Sequence, residues 1–196
     1  RVTISDNLEP IFISEDSYKG KPNPHAWISP KRGVIYINTL VKVLSNLSPD
    51  DADIFKRNGE NYKRDLLEID EDFSLFLNTI EKKKKYLVSC EGAFSYLAND
   101  YGMKEAYLWP VNAESQITPK RMANVINLVQ ENQIPAIFCE STVSSESQMT
   151  VARETGAVFG GNLFVDSLSE EGGPASSYLD LLRHNLNLIK KGFSTN

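Results

Sequence analysis

Three carboxylates stand directly after short apolar runs: Glu91 after YLVSC, Glu140 after AIFC and Asp166 after NLFV. Any one of them, taken singly, reads as a helix cap or a solvated loop acid. Gathered on one sheet edge, three like charges repel unless a cation binds or a proton is taken up. A divalent metal is the economical relief. One imidazole joins them as a candidate donor, His25 in Asn23-Pro24-His25-Ala26-Trp27, where two prolines restrict the backbone and an indole follows two residues on. A turn histidine packed by Trp27 is the competing reading. His184 lies among Leu181, Leu182, Leu186, Leu188 and Ile189 and reads as an edge-of-core histidine. Cys90 and Cys139 each immediately precede one of the acids. Two free core thiols would satisfy that placement. If the two strands are neighbours, however, their Cα atoms fall within the roughly 4.4–6.8 Å a disulfide requires, and we expect a Cys90–Cys139 bond.

The elements that must position these groups follow from periodicity and punctuation. GVIYINTLVKVLSNL has apolar residues at Val34, Ile37, Val41 and Leu44, a helical spacing. Ser48-Pro49-Asp50 reads as a helix start. From there a stripe through Phe55, Tyr62, Leu66, Ile69, Phe73, Phe76 and Ile80 predicts one long helix, with Lys82 to Lys85 as its cationic end. From Tyr86 the pattern changes. YLVSC, EAYLWP, AIFCE and AVFGG read as strands, and they alternate with helices opened by Thr118-Pro119 or closed by Gly102 and Gly156. A final amphipathic helix is SSYLDLLRHNLNLI. Such alternation predicts right-handed crossovers and a parallel sheet covered on both faces, with ligands outside the carboxyl ends of the strands. The fold class is therefore α/β: a C-terminal lobe (83–196) with a parallel sheet flanked by helices. A long bridging helix (48–82) and the end of an N-terminal lobe (1–47) precede it.

Composition excludes several classes. The 196 residues carry 21 Lys plus Arg against 26 Asp plus Glu, a formal charge of -5, which lacks the basic footprint of a nucleic-acid binder. With 41% hydrophobic residues the chain can bury a core. No apolar run approaches the roughly 20 residues of a membrane span. The glycine pairs 160–161 and 172–173 lack the Lys-Ser or Lys-Thr of a phosphate-binding loop and read as turns.

The run of motifs NPHAW, CEG at Cys90 to Gly92 where SEG is usual, FVDS around Asp166, and GGPASSYLDLLRHNL resembles the metal-binding solute receptors of bacterial manganese and zinc ABC transporters. That resemblance covers nearly the whole chain. It implies two α/β lobes bridged by one rigid helix, a metal held between them, His25, Glu91 and Asp166 as metal ligands, and a supporting role for Glu140. It also implies a further histidine upstream of Arg1, which no residue present supplies, so the sequence reads as the end of the first lobe, the helix and the second lobe. Zinc receptors of the family usually offer a histidine at the Glu91 position and a His-rich loop. The oxygen-rich set here suits Mn²⁺, with Zn²⁺ and Fe²⁺ as alternatives. The expected function is a periplasmic receptor, or one lipid-anchored at the outer face of the cytoplasmic membrane, acting as a monomer that delivers its ion to an ABC permease. A metal-dependent hydrolase, with Glu91 or Glu140 activating a metal-bound water, is the alternative. No enzymatic step is required by the first reading.

Overall fold

The structure is a computed structural model that describes residues 2–112 and 117–194. Its elements in chain order are α1 (Pro30–Leu47), α2 (Ala52–Asn78), β1 (Tyr86–Glu91), α3 (Ser95–Asp100), β2 (Lys104–Trp109), α4 (Pro119–Asn132), β3 (Ala136–Glu140), α5 (Glu146–Thr155), β4 (Val158–Leu163) and α6 (Tyr178–Phe193). Apart from the ends of the long helix, they lie where the hydrophobic periods placed them. Thr118 caps α4 by accepting the Arg121 N–H at 3.2 Å, and Gly156 closes α5 at φ +76°, a left-handed conformation that glycine adopts without steric cost.

Pairing is parallel throughout: β1 with β2 and β3 with β4. The expectation of one continuous sheet is modified. The ladders form two two-stranded sheets, and β1 and β3 meet edge to edge, with the Cα atoms of Cys90 and Cys139 4.8 Å apart and their sulfurs bonded. At the end of β1 the Glu91 N–H donates to the Glu140 carboxylate at 3.1 Å.

Strand residues alternate between two apolar layers. Leu87, Ala136 and Phe138 face a core built with α2, α3 and α6. Val88, Cys90, Ile137 and Cys139 face a second core with Val125 and Val129 of α4 and Val151 of α5. Both faces are therefore covered, as parallel strands require.

The long helix is shorter than the 48–82 span. Pro49–Asp51 forms a separate 3-10 turn, in which Ser48 donates to Asp51 instead of capping α2. Lys82–Lys84 forms another, beyond the end of α2, so the lysines are not its cationic terminus. Glu81 pairs with Lys83 and Lys84 there instead. What remains is 27 residues, about 40 Å. Leu66, Ile69, Phe73 and Leu77 are buried in the α6-side core.

Where α1 crosses α2, Gly59 allows close approach: a Cβ there would lie 2.3 Å from Val41 Cγ2. Gly59→Ala should therefore destabilise the protein. Its helix-propensity gain of about 1 kcal/mol is outweighed by overpacking of about 1–3 kcal/mol against a β-branched side chain that cannot swing away. Thermal unfolding checks this, and a raised midpoint would refute the close packing.

The start of α1 is clamped to the end of α3. Arg32 forms a bidentate pair with Asp100, with Nη2 to Oδ1 at 2.7 Å, and buried Ser29 donates its hydroxyl to Asp100 Oδ2 at 2.7 Å. This clamp fixes the turn that immediately precedes α1, which carries His25.

Candidate metal centre

His25 is buried, at 4% exposure, ahead of the single 3-10 turn Ala26–Ile28. Pro24 limits the backbone conformation of Asn23. The Asn23 side-chain oxygen accepts both the His25 backbone N–H at 3.0 Å and ring Nδ1–H at 2.9 Å. An amide oxygen only accepts, so Nδ1 carries the ring proton and Nε2 presents its lone pair. Burial holds the imidazole below its ordinary pKa, against the opposing pull of Asp166. The ring is thus held as a neutral donor. Asn23 also donates to Gly92 O at 2.8 Å, which ties the imidazole to the turn that follows Glu91.

His25 Nε2 lies 3.7 Å from Asp166 Oδ1. That is too long for a hydrogen bond. Two donors each about 2.1 Å from a shared ion at a near-tetrahedral angle stand about 3.4 Å apart, so the spacing fits an ion between them. The Asp166 side chain is 52% exposed, which gives an entering cation a hydrated carboxylate to meet first. Its backbone is held from below. Asn185 of α6, fully buried, accepts the Phe164 N–H at 2.8 Å and donates to the Phe164 carbonyl at 2.7 Å, replacing a strand partner just past the end of β4.

Glu91 ends β1 and is 8% exposed. Its Oε1 accepts the Asn112 backbone N–H at 2.8 Å, and its own backbone N–H goes to Glu140. Glu140 ends β3 at 1% exposure, and its Oε1 has no hydrogen-bond partner among the described residues. Burial pushes its pKa up to about 8, in spite of the donated Glu91 N–H. A neutral Glu140 beside Glu91 is thus one of the two reliefs that clustered acids need.

The structure brings His25 and Asp166 together directly; Asn23 ties the His25 turn to the Gly92 carbonyl, next to Glu91, but the Glu91 carboxylate does not form a three-donor group with them. Glu140 lies behind Glu91. Among the described residues, the group of three donors that lies mutually within 4.8 Å is Cys90, Cys139 and Glu140. The disulfide removes both sulfurs as metal donors, so that cluster is no centre. His184 packs edge-on against Phe164 with ring centroids 5.3 Å apart, at the edge of the core. The Asn23 contacts were missed by sequence reasoning, although an asparagine two residues before a candidate histidine, across a proline, is a visible signal for an Asx-type turn.

An imidazole locked in one tautomer, facing a carboxylate at the end of a parallel α/β unit, defines the class: a protein with a candidate centre for a divalent metal cation. The chain belongs to a family of periplasmic binding components. The model described as zinc-uptake complex component A, periplasmic (ZnuA), matches residues 1–192. An iron-binding protein of Yersinia pestis, YfeA, is 43% identical over 190 residues, 97% of this chain and 61% of that protein. The manganese ABC transporter substrate-binding lipoprotein PsaA of Streptococcus anginosus is 30% identical over 97% of this chain and 62% of its own length. Among solved structures, a manganese-bound periplasmic metal-binding protein of Candidatus Liberibacter asiaticus superimposes with a TM-score of 0.87 at 39% identity, over 97% of this chain and 70% of that one. The chain spans about three fifths of the length of the curated relatives it matches.

Proposed function

We propose that this chain forms most of a solute receptor that captures a divalent cation and hands it to an ABC permease. His25, Glu91 and Asp166 serve as ligands, and Glu140 supports Glu91. Residues 1–47 contribute the end of a first lobe, 48–82 the bridging segment and 83–196 the second lobe. The observation that carries this reading is the buried His25 ring, its Nδ1 2.9 Å from Asn23 Oδ1 and its Nε2 3.7 Å from Asp166 Oδ1. The named relatives bind iron or manganese, and two carboxylates with one imidazole favour Mn²⁺ or Fe²⁺ by ligand hardness. We take Mn²⁺ as the cargo, with Zn²⁺ as a competitor. No helix among the described residues is long and apolar enough to cross a membrane, and we place the receptor in the periplasm as a monomer. The hydrolase alternative gains no support from relatives that are named for metal binding and transport.

Calorimetric titration of the chelator-stripped chain with Mn²⁺, and separately with Zn²⁺, tests the proposal. Saturable one-to-one binding of either is the expected result. Absence of binding by both would overturn it for this chain.

A further inference from the structure

We propose that Trp27 is a positioning residue for the Asp166 carboxylate, its indole N–H holding the 165–166 backbone so that Asp166 stays opposite His25. The inference rests on the cation-binding reading above. The Trp27 indole Nε1–H donates to the Val165 carbonyl at 3.1 Å, across 138 positions of sequence. Val165 is the residue immediately before Asp166, and its carbonyl belongs to the peptide unit that carries the Asp166 nitrogen. A hydrogen bond at that carbonyl therefore sets the direction in which the Asp166 side chain leaves the backbone. Asn185 already holds both backbone groups of Phe164, so with Trp27 in place two successive residues before Asp166 are fixed.

Trp27 is itself held from both sides. Its carbonyl accepts the Tyr178 hydroxyl at 2.6 Å, and its ring meets the His25 imidazole edge-on, with centroids 5.3 Å apart and planes at 63°. One side chain thus touches the imidazole by its ring face or edge and the loop of the carboxylate by its N–H. This hydrogen bond directly links the 25–29 turn to the 164–166 loop. Trp27→Phe removes the N–H together with part of the ring that packs on His25, so its effect is read against Asp166→Ala in a double-mutant cycle and not alone.

Two measurements on the full 196-residue chain test the proposal. In the metal-free protein labelled at the indole nitrogens, the Trp27 Nε1–H is expected to exchange with solvent at least about tenfold more slowly than a free indole. Exchange at the free rate would overturn the proposal, whether or not Trp27→Phe folds. The second is a double-mutant cycle on Mn²⁺ affinity. Trp27→Phe is expected to weaken binding about tenfold, the range for residues that orient a ligand, and to add nothing in an Asp166→Ala background. An unchanged affinity, or the same loss in both backgrounds, would show that Trp27 does not act through Asp166. Failure of the wild-type chain to bind Mn²⁺ or Zn²⁺ would instead refute the receptor reading, and the exchange measurement would still judge the hydrogen bond.

Discussion

Asp166→Ala is expected to weaken Mn²⁺ binding by about 100-fold or more in calorimetric titration. Residues that only orient a metal ligand cost about 10–100-fold when lost, so removal of a donor itself belongs at or above the top of that range. The substitution is also the cleanest one available. Asp166 is half exposed, and exposed substitutions away from buried networks usually change stability by about 0.5 kcal/mol or less, so lost binding can be read as lost coordination. Glu91→Ala is expected to reduce affinity similarly. It additionally removes the acceptor of the Asn112 N–H, on an exposed residue that water can re-solvate, and takes out a side chain that is itself buried, so its binding data need a melting curve beside them. His184→Ala serves as the control, because its ring packs on Phe164 and should leave affinity near the wild-type value. Equal losses in all three variants would remove the proposed ligand set.

Reduction of the Cys90–Cys139 bond should lower stability by about 4 kcal/mol, since the bond closes a loop of 49 residues and the chain-entropy cost grows with the logarithm of loop length. For a domain of this size that corresponds to a fall of roughly 10 °C in the unfolding midpoint. The bond also fixes the contact between β1 and β3, which share no ladder, one residue before each of Glu91 and Glu140. Reduction is therefore expected to affect metal affinity as well as melting. Thermal unfolding with and without reductant, with intact mass measured in both states, checks this. An unchanged midpoint and no gain of two hydrogens would show that the bond does not form in solution.

The sequence was informative wherever the physics is local. Thr118 before Pro119, Gly156 after α5 and the acids at the ends of β1 and β3 could be read from neighbours alone. The cysteine pair was legible because each precedes an acid at a strand end, and strand alternation then sends Cys90 and Cys139 into the same apolar layer. Contacts between distant segments left no such trace. Nothing in spacing couples Arg32 to Asp100 or Trp27 to Val165, because both bonds exist only after the helices have packed. The break between the two ladders was equally hidden, since nothing in residue spacing marks it. The lysine run misled for a different reason. Helix dipole logic places cations at a C-terminus, but α2 ends at Asn78 and the lysines build their own turn.

The distribution of buried residues along α1 and α2 gives the helical hairpin a mechanical character. In α1 they are Pro30, Gly33 and Thr39, all in the first ten residues; in α2, after Gly59, they are Leu66, Ile69, Phe73 and Leu77. Loaded at the 47–51 turn, where Leu47 is 77% exposed, the pair would act as a cantilever rooted in the core beside His25. A tilt of about 5° at Phe73 would carry Ala52, roughly 30 Å away, through about 3 Å. His25 sits at the root, tied down by Asn23 and by the Ser29–Asp100 bond a few residues on. Bending of the beam can therefore be large at its tip while the spacing between imidazole and carboxylate, where tenths of an ångström decide coordination, stays almost constant.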